Sequence, residues 1–308
     1  MILSVSRRTD IPNYYSQWFF NRIKEGFLYV RNPFNPRQVS RIDLSPRVVD
    51  CIVFWTKNPA AMLGRLEELA EYSYYFQFTL TGYGRDVEPG LPDKRRVLIP
   101  TFRKLAEQIG RERVIWRYDP IMINGTYTVD YHLKAFGEIA DSLKEHTERV
   151  VISFLDFYAK TQRNMKGLDP EELNGEQMRS IAGAMAEIAG RNHLRIETCA
   201  EMTGMEDLGI AHGSCIDKTL VERIAGYELK AGKDKNQRPQ CGCIESVEVG
   251  TYDTCRNGCK YCYANFNREK VRELAGLYDV HGPLLCGILQ PEDKVTERKV
   301  RSLKAEIC

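Results

Sequence analysis

DCIVFWT, residues 50–56, decides how the rest of the chain is read. From Cys51 to Trp55 it holds no charge and no turn residue, and β-branched and aromatic side chains dominate it. Such a run, without polar alternation, is the pattern of a strand buried on both faces, as in a parallel sheet covered by helices. Similar runs recur on either side: Ile2–Ser6, Tyr74–Leu80, Val114–Arg117, Val150–Leu155 and Leu194–Cys199. Between them lie stretches with helical spacing. These are Tyr14–Glu25 before Gly26, Ala60–Glu71 with Leu63, Leu66 and Leu69, Val97–Ile109 before Gly110, Tyr131–Leu143, and Pro170–Ala189 before Gly190. Phe27–Arg31 reads as a short extra strand or an extended connection. Apolar strands alternating with helices predict an α/β fold, a parallel (β/α) barrel that is either a partial (β/α)6 or TIM-like. Residues 1–200 are assigned to the barrel. Residues 201–308, rich in Gly, Lys, Asp and Cys and with a helix at Arg268–Ala275, are assigned to a cysteine-rich metal- or cluster-binding cap packed on it.

The composition excludes several classes. With 43% hydrophobic and 28% charged residues among 308, the chain is no disordered or low-complexity protein. Its 44 basic and 42 acidic residues leave a net charge of +2, so no bulk attraction to nucleic acid or to an acidic membrane is expected. MILSVSRRTD is no signal peptide, and no stretch approaches the length of apolar chain that spans a bilayer, so the expected compartment is the cytoplasm without membrane partners. The five histidines show no ligand spacing, and no Ser-His-Asp, P-loop or G-x-G-x-x-G pattern supports a hydrolase, nucleotidase or dinucleotide reading.

Each strand runs into polar residues at its carboxyl end. They are Arg7, Arg8, Thr9 and Asp10; Thr56, Lys57 and Asn58; Thr79, Thr81 and Tyr83; Arg117, Tyr118 and Asp119; Ser153 and Asp156, with Tyr158 further on; and Glu197, Cys199 and Glu201. Solvated loops alone would make strand ends polar. Six ends that together supply Arg, Lys, Asp and Glu favour a polar pocket where α/β barrels carry their sites. Arg8, Lys57, Arg117 and Glu201 are the candidate catalytic residues. Thr56, Asn58 and Ser153 are candidate cofactor contacts. Arg117 with Asp119 could equally be one structural pair, and Arg7, Arg8 and Asp10 a lattice that ties loops together.

Ten cysteines are the outlying feature, and five of them fall between 241 and 262. In a reducing compartment such clusters read as metal sites before disulfides. Cys255, Cys259 and Cys262 stand at C-x3-C-x2-C spacing, which could hold three irons of a four-iron cluster and leave the fourth open. Gly258 would let that loop bend tightly, and Tyr261 could shield the cluster or contact a cofactor. Cys241 and Cys243, with Cys215 and also Cys199, could complete a second site or supply a fourth ligand. Zinc is the alternative metal, although C-x3-C is a poor zinc spacing. Cys51 lies mid-strand and reads as core; Cys286 and Cys308 lack close partners in sequence.

The stretch YDTCRNGCKYCYAN, Tyr252–Asn265, resembles the cluster motif of the radical S-adenosylmethionine superfamily, in particular its spore-photoproduct-lyase-like branch. In that superfamily the motif follows the first strand; here it follows the sixth apolar run, so the order is permuted. The chain as a whole also resembles an uncharacterised bacterial family with this order, through SVSRRTDIP (Ser4–Pro12), VFWTKNP (Val53–Pro59), IWRYDPI (Ile115–Ile121), CAE (Cys199–Glu201) and CID (Cys215–Asp217). The superfamily resemblance implies a [4Fe-4S] cluster, S-adenosylmethionine at its open iron, a 5′-deoxyadenosyl radical acting on an unknown substrate, and an electron donor such as flavodoxin or ferredoxin. It also implies that a second cluster is common. A Gly-Gly-Glu segment that often follows the second strand in that superfamily is replaced by Thr56-Lys57-Asn58-Pro59 after the second apolar run. Two other readings stand beside it: a non-catalytic iron–sulfur or zinc redox protein, and a nucleic-acid repair or modification factor, which the near-neutral charge does not support.

Overall fold

The computed structural model describes residues 1–157 and 159–305, so Tyr158 and Cys308 lie outside the described residues. In chain order the elements are β1 (Ile2–Val5), α1 (Ile11–Tyr14), α2 (Ser16–Glu25), β2 (Phe27–Arg31), β3 (Gln38–Asp43), β4 (Cys51–Thr56), β5 (Tyr74–Thr79), α3 (Ile99–Ile109), β6 (Val114–Ile121), α4 (Val129–Leu143), β7 (Arg149–Phe154), α5 (Ala159–Asn164), α6 (Gly175–Arg191), β8 (Arg195–Cys199), β9 (Ala211–Gly213), α7 (Lys218–Ala225), β10 (Val247–Glu248), α8 (Arg268–Ala275) and β11 (Lys294–Glu297).

Eight strands form one sheet in the order β10-β1-β4-β5-β6-β7-β8-β9, and every neighbouring pair is parallel. The expected barrel is not closed: β10 and β9 are the two edges of an open sheet. These edge strands pair over only two and three residues, too short to carry a hydrophobic period, which is why six strands were legible and eight are present. Both come from beyond residue 200, so that part of the chain contributes to both sheet edges. β2, β3 and β11 form a separate small sheet, which settles Phe27–Arg31 as a strand.

The alternation of side chains across β4–β7 explains the apolar runs. Ile52, Phe54, Phe76, Phe78, Trp116, Tyr118, Val150 and Ile152 pack with Phe19, Phe102, Phe136 and Met185 from the helices. Cys51, Val53, Tyr75, Ile115 and Val151 point the other way and pack with Ile216, Leu220, Val221 and Ile244. Each fully buried large apolar side chain contributes roughly 1.5–3 kcal/mol, so covering both faces makes these strands the core. Segment 215–244 is what covers the second face.

Local corrections have local causes. The leucine run at 63, 66 and 69 has a period of three, and it forms a 3-10 helix over Leu63–Leu69 rather than an α-helix. α6 starts at Gly175, not Pro170, because Asn174 caps it: its side chain accepts from Gln177 N while the Gln177 side chain accepts from Asn174 N. α2 stops at Gly26, which sits in the left-handed region at φ 79°. The helix at Arg268–Ala275 is where the sequence placed it.

Candidate functional site

The chain leaves β10 beside β1 and enters the loop that carries the three motif cysteines. The entrance is locked to β1. Glu248 Oε2 accepts from Ser4 Oγ at 2.7 Å and from Arg7 N at 3.0 Å. Gly250 passes so close to Ser6 that a Cβ on it would lie 1.8 Å from Ser6 Oγ.

Asp10 holds the loop from beneath. Its buried carboxylate accepts from Thr56 Oγ1 at 2.7 Å, Lys57 N at 2.9 Å, Asn257 Nδ2 at 3.0 Å and Asn13 N at 3.1 Å. It thereby ties the ends of β1 and β4 to the residue between Cys255 and Cys259. Asn257 Oδ1 accepts in turn from Tyr14 OH at 2.9 Å and Asn13 Nδ2 at 3.2 Å. Tyr15 OH donates to Thr254 O at 2.6 Å, and Asn265 Nδ2 to Cys255 O at 2.7 Å. From the β5 side, Gly90 N donates to Asn257 O at 2.9 Å and Lys260 N to Val87 O at 2.9 Å. Gly90 is needed for that approach, since a Cβ would stand 2.6 Å from Asn257 O. Gly258 takes the tight bend expected of it, at φ 66°.

Cys255 and Cys259 are buried and Cys262 is half-buried. Burial pushes the Cys255 thiol up to about 12, with the neighbouring Cys262 and Asp10 adding to the rise. Burial also pushes the Cys259 thiol up, against the opposing pull of Lys57. Such thiols give up their protons to a metal, not to water at neutral pH. Ala264 N donates to Cys262 Sγ at 3.3 Å, a bond that suits a metal-bound thiolate. Among the described residues, no group of three or more His, Cys, Asp or Glu side chains is arranged to hold a single metal ion. The thiolates of a multi-iron cluster bind different irons and need no such convergence, so three cysteines on one braced loop, two of them buried, fit a cluster better than a lone ion.

Beside Cys259 lies a buried charge network. Lys57 Nζ donates to Glu88 Oε1 and to Tyr261 OH, each at 2.8 Å. Glu88, only 1% exposed, also accepts from Lys94 Nζ, from Tyr261 OH and from Thr81 Oγ1, the last at 3.0 Å. Burial alone would raise its carboxyl; the Lys57 and Lys94 ammonium groups overcome that and bring it down to about 2.

The candidate residues fall into two neighbourhoods. Thr56, Lys57 and Tyr261 join the motif cysteines, and so does Arg8, which donates to Gly250 O at 3.3 Å and lies over the Tyr252 ring at 4.7 Å. Thr56 Oγ1 donates to Asp10 and accepts from Asn58 N at 3.0 Å, while Asn58 Oδ1 accepts from Ala60 N at 3.3 Å, so these two shape the turn after β4. Arg117 is elsewhere: it pairs with Asp119 at 2.6 Å, as the structural alternative had it, and donates to Cys215 Sγ at 2.9 Å. Cys199, Cys215, Cys241 and Cys243 gather at that second place. Ser153 is half-buried near the end of β7, and Glu201 Oε1 accepts from Phe154 N at 2.8 Å. The sequence reading missed Glu88 and Lys94. The only local signal was an acid and a lysine flanking Pro89-Gly90 after a strand end.

A family model described as a domain of unknown function, DUF1848, matches residues 2–264. No curated protein matches the chain. Among solved structures, a Bacteroides thetaiotaomicron protein provisionally named an alpha-L-fucosidase is 13% identical, over 58% of this chain and 74% of its own, with a TM-score of 0.27. A likeness at that level carries no argument about fold or function.

Proposed function

The chain belongs to the DUF1848 family, whose description assigns no activity, so function has to be argued from the site: we propose that Cys255, Cys259 and Cys262 hold a [4Fe-4S] cluster with one iron open, and that the protein is a radical S-adenosylmethionine-type enzyme. One observation carries this reading. The motif follows the sixth apolar run in sequence, but it follows β10, the edge strand at which the sheet begins in space. Counted in space, the loop therefore follows the first strand, as in the superfamily its motif resembles. The permutation is one of chain order, not of layout.

The same count moves another comparison. The second strand in space is β1, not β4. Ser6, Arg7 and Arg8, not Thr56–Asn58, follow the strand adjacent to the motif strand. Arg8, stacked on Tyr252 beside the loop, is the cation of that strand end nearest the motif by its contacts.

Bound at this loop, the cluster would supply one electron to the sulfonium of S-adenosylmethionine. The chain's own residues do the rest. Asp10 and Asn257 fix the loop, Tyr261 and Tyr83 screen its inner side with rings 5.8 Å apart, and Lys57 offsets thiolate charge next to Cys259. Lys57, hydrogen-bonded to both Glu88 and Tyr261, keeps its proton: burial would lower it, but the Glu88 carboxylate outweighs that and raises it.

The test is anaerobic reconstitution with iron and sulfide, then incubation with S-adenosylmethionine and dithionite. Formation of 5′-deoxyadenosine is expected. A chain that takes up about four irons yet yields no 5′-deoxyadenosine refutes the radical reading and leaves a redox iron–sulfur protein.

A further inference from the structure

Four cysteines outside the motif loop meet where the carboxyl ends of the last strands face segment 215–244. Cys199 ends β8, Cys215 lies two residues past β9, and Cys241 and Cys243 follow α7. Cys199 Sγ and Cys215 Sγ are 3.1 Å apart. Cys215, Cys241 and Cys243 pack in one buried cluster, and Cys199 lies against it. Three of the four are buried and Cys199 is half-buried, and all four are free thiols.

Hydrogen-bond donors point at two of these sulfurs. Arg117 Nη1 donates to Cys215 Sγ at 2.9 Å, and Ile216 N to Cys243 Sγ at 3.3 Å. Arg7 lies near Cys243, the Glu248 carboxylate and Cys215, and among the described residues its Nη2 is buried without a hydrogen-bond partner. A buried guanidinium donor with nothing to bond is costly, and it points to charge that the thiol forms do not supply. Four thiolates in turn need more positive charge than two arginines bring, one paired with Asp119 and the other beside Glu248. A soft metal meets both needs. Zn²⁺ and a [4Fe-4S]²⁺ unit each leave the same two negative charges with four thiolates, which Arg7 and Arg117 then face.

We propose that Cys199, Cys215, Cys241 and Cys243 form a closed four-thiolate metal centre that joins β8 and β9 to the segment covering the second face of the sheet. With four protein ligands it has no open position, so its role is structural or electron-relaying and not substrate activation. As they stand, no three of these side chains are arranged to hold a single ion, so a lone zinc would require side-chain rotation, whereas a four-iron unit binds each sulfur at a different iron. This inference stands apart from the reading of the motif loop.

The test uses the full chain, purified anaerobically. Metal analysis of the wild type is compared with that of the Cys215→Ser/Cys243→Ser variant. The variant is expected to lose either about one zinc, or about four irons with matching sulfide, and to keep the iron of the motif loop. Unchanged metal content overturns the proposal. A second readout needs no variant: in the wild type, all four cysteines should resist alkylation until a strong chelator is added, with Cys51, mid-strand and fully buried, unreactive throughout. Free alkylation of the four before chelation, or recovery of a Cys199–Cys215 disulfide in place of metal, also overturns it.

Discussion

Replacing Cys259 by alanine should lower the iron content of the anaerobically reconstituted chain by about four irons and abolish 5′-deoxyadenosine formation. Cys259 is the middle ligand of the motif, and both Lys57 and Glu88 face it. Without it, two sulfurs remain on the loop, too few to hold a cluster that normally takes at least three protein ligands. The loop itself does not depend on this thiol. Asp10, Asn13, Tyr14 and Gly90 all hold Asn257, and Tyr15 holds Thr254 O. The metal-free variant should therefore keep the circular dichroism of the metal-free wild type, which separates loss of ligation from loss of fold. Iron content equal to wild type would remove Cys259 from the ligand set.

The largest expected effect on stability is that of Glu88→Gln. The carboxylate is the shared partner of Lys57, Lys94, Tyr261 and Thr81 in a site with almost no solvent. Removing its charge leaves two ammonium groups facing each other without a counter-ion. Breaking a buried pair in this way costs about 3–5 kcal/mol. The pH dependence follows from the same group. The folded-state carboxyl, at about 2, lies below its ordinary value of 4.5. Its contribution is complete above that ordinary value and is lost as pH falls through the window from 4.5 to about 2. Thermal melts of the two proteins should thus differ most near neutral pH and draw together toward the acid end of this window. Curves that stay parallel throughout would show that Glu88 is not the acid-labile group.

How much of this was legible depended on where the partners lie. β4 and β5 were readable because both faces are buried along most of their length, which shows as largely apolar runs; β8, Arg-Ile-Glu-Thr-Cys, is polar at alternate positions and was readable from its place after a long helical stretch. β9 and β10 were not, because strands of three and two residues have no pattern of their own and exist by pairing with β8 and β1. The motif cysteines were readable from spacing alone. Glu88 was not, because Lys57 and Tyr261 are 31 and 173 residues away and its own surroundings look like a turn. Thr56 and Asn58 were read as pocket residues, but a strand-end hydroxyl and amide were equally available to brace the turn, and Asp10 and the backbone engage them there. Cys199 read as a possible core residue because nothing local linked it to Cys215; the pairing of β8 with β9 does so.

The open iron is the central claim. The most direct measurement is electron paramagnetic resonance of the dithionite-reduced chain carrying Cys215→Ser and Cys243→Ser, so that metal remains at the motif loop, with and without S-adenosylmethionine. A reduced four-iron signal whose g-values shift when S-adenosylmethionine is added is the predicted result. A signal that S-adenosylmethionine leaves unchanged, or no cluster signal at all, would contradict it.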